Sequence, residues 1–125
     1  MFNKLTVSSV DKTYTTINIM SLMGEKMPLL KKWSAFNKIN VYRETDNFGV
    51  YELGSKLGII YIGEGHVRSR LLSHFSYGSD PIVGASHYRV EYTSGKARAV
   101  QRQNAELETY KRTYGKYPRY NQRKG

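Results

Sequence analysis

Residues 48–63 read Phe48-Gly49-Val50-Tyr51-Glu52-Leu53-Gly54-Ser55-Lys56-Leu57-Gly58-Ile59-Ile60-Tyr61-Ile62-Gly63. Two runs rich in β-branched and aromatic residues, Phe48 to Leu53 and Ile59 to Gly63, flank a turn from Gly54 to Gly58. This is the pattern of a β-hairpin, with the second, more apolar run buried. Downstream, Val67, Leu71, Leu72 and Phe75 recur at helical spacing and predict a short amphipathic helix. Ser86 to Thr93 alternates, with Tyr88, Val90 and Tyr92 on one face and His87, Arg89 and Glu91 on the other, as a half-exposed strand does. A long helix is expected from Gly95 to Tyr114, capped by Ser94 or Thr93, with the stripe Val100, Leu107, Tyr110, Tyr114 against the core. Gly115 and Pro118 end it, and the basic tail frays after Asn121.

Upstream of the hairpin, Lys4 to Met20 is rich in Thr, Val, Ile and Tyr and suits strands turning at Asp11-Lys12. Pro28 opens a predicted helix with Leu29, Leu30, Trp33 and Phe36 inward and Lys31 and Lys32 outward. The whole reads as a single α+β domain: residues 48–125 form a core with a small, mainly antiparallel central sheet flanked by helices, and residues 1–47 an N-terminal extension packed on or next to it. At 125 residues with 39% hydrophobic content the chain can bury one core.

Charge narrows the function classes. Twenty Lys and Arg against ten Asp and Glu leave +10, an excess that attracts polyanions, nucleic acid above all. Eleven tyrosines add side chains able to stack on bases or bond phosphates. No cysteine is present, which excludes a disulfide scaffold, a zinc knuckle or a cysteine nucleophile. No apolar run is long enough to cross a bilayer and no hydrophobic signal segment follows Met1, so a cytoplasmic or nucleoid location is expected.

Gly49-Val50-Tyr51 followed by Tyr61-Ile62-Gly63 resembles the paired strand motifs of the GIY-YIG nuclease superfamily. In the helix that follows, Arg70 and His74 stand one turn apart and match the arginine and frequent histidine of its members. Tyr117-Pro118-Arg119-Tyr120-Asn121 resembles the closing Pro-x-Tyr-Asn element. The resemblance spans about residues 48 to 121 and implies a GIY-YIG fold and a metal-dependent endonuclease.

In such nucleases the two tyrosines position or deprotonate the attacking water and bond the phosphate, which assigns those roles to Tyr51 and Tyr61. A free phenol has a pKa near 10, so a base role requires a neighbouring cation or metal. Arg70 supplies one, and its donor fork suits the charged transition state. Lys56, in the hairpin turn, is a second candidate cation. His74 is open between capping, phosphate binding and proton transfer. His66 and Arg68, at the start of the helix, are candidate nucleic-acid contacts. Asn121 is expected to bond backbone or to fix a catalytic neighbour. The loop from Gly78 to Gly84 is a candidate substrate-facing segment.

The resemblance also implies a glutamate on the last long helix as ligand to Mg²⁺ or Mn²⁺. Counted from Ala99, that position falls on Gln103, with Glu106 one turn later as the alternative. Glutamine is nearly isosteric with glutamate but neutral, and holds a divalent cation far more weakly. Either the chain is an inactivated variant, or Glu106 has taken the ligand role. The expected substrate is DNA first and RNA second, with no membrane partner. A homodimer would let two centres meet a duplex. The competing expectation is a non-catalytic nucleic-acid-binding module that kept the fold and lost the metal.

Overall fold

A computed structural model of the chain describes residues 32–122; the expected Lys4–Met20 strands and the start of the helix at Pro28 lie outside them. The elements run β1 (Ser34–Ala35), α1 (Lys38–Tyr42), β2 (Phe48–Ser55), β3 (Gly58–His66), α2 (Val67–Ser73), β4 (His87–Tyr92) and α3 (Lys96–Tyr114). The fold is α+β, with one antiparallel sheet in the order β1-β4-β2-β3 and helices flanking it. The hairpin read from the sequence is β2 and β3, with Tyr51 opposite Gly63 and Leu53 opposite Tyr61. Register with β4 sets Tyr51 against Val90 and Leu53 against Tyr88, so these residues share one face.

That face carries the apolar core: Val41 of α1, Val67 and Leu71 of α2, and Tyr51, Leu53, Tyr61, Tyr88 and Val90 of the strands are all buried. Tyr88 and Tyr92 donate their hydroxyls to Glu44 at 2.6 and 2.7 Å, which ties the loop after α1 to β4. Asp46, in the same loop, accepts from the Ser69 backbone N–H and hydroxyl, both at 2.7 Å, and so caps the first turn of α2 from outside that helix.

Trp33 and Phe36 depart from the predicted helix. Between them runs β1, hydrogen-bonded to β4. Phe36 stacks on Phe75 with ring centroids 4.2 Å apart, and Trp33 lies over the Arg89 guanidinium at 4.3 Å. The spacing that suggested one helical face is met instead by two aromatics bracketing a short edge strand.

The opposite face of the sheet carries α3, and here the expected stripe is wrong. Ala99, Arg102 and Glu106 are the buried residues of that helix, whereas Tyr114 is exposed. The reason is the sheet beneath: β2 and β4 point Glu52, Arg89 and Glu91 upward. Arg89 meets Glu52 at 2.7 Å, and Arg102 meets Glu91 at 2.8 Å and Glu106 at 3.0 Å. No side chain of Thr93 or Ser94 caps α3. Its N-cap is Gly95, and the Thr93 hydroxyl donates to the Gly95 carbonyl instead. Gly115, at φ 82°, ends the helix in the left-handed conformation as the sequence indicates.

Three carboxylates share two guanidiniums in this layer, and burial pushes the Glu52 and Glu106 carboxyls up, Glu106 further by the charge of Glu52. The native state therefore keeps a proton that the unfolded chain releases in the ordinary carboxylate range. Unfolding free energy should fall as pH rises out of that range towards the raised value, by at most about 1.4 kcal/mol per pH unit for one such proton. Chemical denaturation across that pH range checks this: Glu106→Gln should flatten the slope, and an unchanged slope would assign the proton elsewhere.

Candidate active site

Beta alternation and two glycines build the site. Tyr51 and Tyr61 lie diagonally across the hairpin on the core face, with ring centroids 6.2 Å apart. Position 63 sits directly beside both rings. A Cβ there would lie 2.5 Å from the Tyr51 hydroxyl and 2.7 Å from Tyr61 Cε2, so a glycine is needed for the phenols to approach. Gly65, at φ +135°, lets the Arg70 stem cross β3, since a Cβ there would lie 3.0 Å from Arg70 Cγ.

Arg70 and His74 project from α2 and its C-cap toward these phenols. His74 is 1% exposed, with Nδ1 2.8 Å from the Asp80 carbonyl and Nε2 2.7 Å from the Tyr51 hydroxyl. A carbonyl only accepts, so Nδ1 carries a proton, and with that tautomer Nε2 accepts from the Tyr51 hydroxyl. The Asp80 carboxylate lies 3.7 Å from Nδ1 and 3.5 Å from Arg70 Nη2. Burial, with Tyr61 alongside, pushes the Tyr51 phenol far up, and Arg70 only partly opposes this. Tyr51 thus holds its proton and hands it to His74 as a hydrogen bond. For Arg70, partial burial opposes the charge, but Tyr51 and Tyr61 outweigh it and hold the guanidinium above its ordinary range.

Tyr61 and Arg70 open onto a cleft of about 440 Å³ at the β3 edge of the sheet. β3 and the start of α2 contribute Tyr61, Glu64, Gly65, His66, Ser69 and Arg70; Phe48 closes one side, and α3 brings Lys96 and Gln103 from the other face. The structure therefore gathers Tyr61, Arg70, His66 and Gln103 at one cavity, with Tyr51 and His74 directly behind. His66 donates from Nδ1 to the Asp46 carbonyl at 2.8 Å and packs on Phe48 at 4.1 Å. Asn121 receives the Ile62 N–H and donates to the Ile62 carbonyl, both at 2.9 Å, so it covers the edge of β3 between the cleft residues Tyr61 and Glu64.

Several expected residues lie elsewhere. Lys56 is at the far end of the hairpin, lining a separate pocket with Trp33 and His87. Glu106 is 4% exposed and paired to Arg102 under α3, outside the cleft. Arg68 turns to the Glu44 carbonyl at 3.2 Å. The loop from Gly78 to Gly84 does not line the cleft. It folds back through Asp80 N–H to the Ser73 carbonyl and Ile82 N–H to the His74 carbonyl, and holds His74 from behind. Sequence reasoning missed Asp80, Glu64 and Lys96. For Glu64 the available signal was a carboxylate placed directly after Tyr61-Ile62-Gly63 in an otherwise apolar strand.

Among the described residues no cluster of three or more His, Cys, Asp or Glu gathers. Among the lining residues, side-chain oxygens come from Tyr61, Glu64, Ser69 and Gln103, with Glu64 held by Lys96 and the Ser69 hydroxyl donated to Asp46. These are hard donors, suited to Mg²⁺ or Mn²⁺ rather than zinc. An ion of that kind keeps several waters and takes oxygens from substrate phosphates, so this small set fits it.

Residues 27–110 match the family described as a domain of unknown function, DUF7508. The chain belongs to that family. The DUF7508 span runs from before β1 into the last turns of α3, and so includes Tyr51, Tyr61, Arg70, His74 and Gln103 but not Asn121. No curated protein and no solved structure matches the chain.

Packing at position 63 gives a direct check. Gly63→Ala should destabilise the fold by about 1–3 kcal/mol through overpacking against the two phenols, whereas Gly95→Ala, with open space around its Cβ, should change little. Urea midpoints of the two variants measure this, and equal effects would remove the steric role given to Gly63.

Proposed function

We propose that the chain is a GIY-YIG-type endonuclease that hydrolyses phosphodiester bonds in DNA with Mg²⁺ or Mn²⁺. The observation that carries this reading is the meeting of Tyr61, Arg70 and Gln103 at one cleft, with Tyr51 and His74 behind it. The net charge of +10 supports a polyanionic substrate.

Phosphodiester hydrolysis requires a placed water, countercharge for the five-coordinate phosphorus and a path for the proton. Arg70, 35% exposed at its side chain, can bond two phosphate oxygens at once and stabilise the charge that develops on them. The Tyr61 hydroxyl, beside it, orients the water or bonds the phosphate. Tyr51, buried and protonated, bonds His74 and braces Tyr61 rather than meeting solvent. Should the site shed a proton inward, His74 Nε2 accepts it, and the Asp80 carboxylate stands close enough to balance the imidazolium. A bound divalent ion would supply Lewis-acid polarisation of the phosphate and charge neutralisation, and Gln103, where the GIY-YIG resemblance expects a glutamate, would be among the residues that hold it. Cutting both strands would take two such centres, from a dimer or from successive binding.

One observation favours a second reading, a nucleic-acid-binding module without catalysis: the α3 side chain at the cleft is a neutral amide. Cleavage assays separate the two. Arg70→Ala should lower DNA cleavage by about two to three orders of magnitude, the cost of removing one charge-stabilising donor, while the circular dichroism spectrum stays native. Gln103→Glu should raise cleavage in Mg²⁺ by a factor on the order of ten or more. Retained cutting by Arg70→Ala contradicts the role of that guanidinium. Salt-sensitive binding without product in the parent chain and in Gln103→Glu establishes the binding module instead.

A further inference from the structure

We propose that the metal-binding carboxylate of this cleft is Glu64, on β3, and that Lys96 is a resident cation which the divalent ion displaces. This assignment presupposes the phosphodiester reading above, but ion binding can be measured without any substrate.

Elimination comes first. Among the described residues, Glu64 is the one carboxylate that lines the cleft with Tyr61 and Arg70. Glu106 and Glu91 are held by Arg102 under α3. Glu44 accepts from two tyrosines, Asp46 caps α2, and the Asp80 carboxylate pairs with Arg70 and lies against His74. None of these can turn to the cleft without giving up those bonds.

Geometry then favours Glu64. Both of its carboxylate oxygens lie 2.9 Å from Lys96 Nζ, so one cation already bridges them. Glu64 is fixed on a strand, its side chain only 16% exposed, whereas Lys96 is 58% exposed at the first turn of α3. An ammonium on a long, solvated stem leaves for water at little cost, because a partly exposed pair of this kind is weak. The carboxylate stays and the cation exchanges. Lys96 and Gln103 lie two helical turns apart and both reach the cleft. Glu64 would hold a hydrated ion, and Gln103, in the same cleft, would offer a further oxygen donor. The charge that the resemblance expected from the helix is supplied by the strand.

Mn²⁺ titration of the full chain in the absence of nucleic acid, followed by the electron paramagnetic resonance signal of the free ion, tests this. The parent chain should bind a single Mn²⁺. Glu64→Gln should weaken binding by roughly tenfold or more, since a lost ligand should cost at least what a lost outer-sphere partner does. Lys96→Met should tighten it, and Glu106→Gln should leave it unchanged. Unaltered affinity in Glu64→Gln, a loss confined to Glu106→Gln, weaker binding in Lys96→Met, or no Mn²⁺ bound by the parent chain and Lys96→Met would each overturn the proposal. Circular dichroism confirms that each variant folds. Mn²⁺ held through Glu64 with no DNA cut under any condition upholds this site and defeats the nuclease reading. Cutting that is indifferent to Glu64 does the reverse.

Discussion

Position 63 has no room for a side chain. The rings of Tyr51 and Tyr61 occupy that space, with a would-be Cβ only 2.5 Å from the Tyr51 hydroxyl. Everything at the cleft follows from this approach. Tyr51 sinks into the core and finds His74; Tyr61 is left at the margin, and Arg70 crosses the neighbouring Gly65 to stand beside it. Both phenols are buried and both arise from the same hairpin, but Tyr51 bonds His74 while Tyr61 lines the cleft. Their neighbours decide the division, and Tyr51, at 0% exposure, cannot cheaply carry charge.

The same logic sorts the carboxylates. On the α3 side of the sheet, Glu52, Glu91 and Glu106 are drawn into pairs with Arg89 and Arg102. Unpaired, the buried Glu52 and Glu106 would carry a large desolvation cost in that layer. Such a network joins α3 to β4 through Arg102 and Glu91, and it keeps Glu106 from the cleft. Glu64 escapes it because β3 is an edge strand and its partner, Lys96, is half in solvent. The electrostatic contrast between two sides of α3, Arg102 and Glu106 on one and Lys96 and Gln103 on the other, thus separates a structural layer from the cleft.

Much of this was legible in the sequence. The hairpin, α2, β4 and the span of α3 follow from periodicity and from glycines, and the alternation of Tyr88, Val90 and Tyr92 matches the core face of β4. Local pattern misleads where tertiary partners override it. Trp33 and Phe36 have helical spacing yet flank β1, and the inner face of α3 is charged because the strands beneath it are charged. No spacing rule links Asp80 to His74, since their contact depends on a loop that folds back on the helix it follows. Lys56 looked close to the site because it is close in sequence, but a hairpin sends its turn to the opposite end from the β3 terminus.

The proposed function requires a phosphodiester in the β3-edge cleft, between the Arg70 guanidinium and the α3 side chains. A crystal structure of the chain with a short DNA duplex and Mn²⁺ tests it most directly. The account predicts a backbone phosphate within hydrogen-bond reach of Arg70 and Tyr61, with the ion on the Glu64 side of the same cleft. DNA seated on another face, with that cleft empty of phosphate, would contradict it.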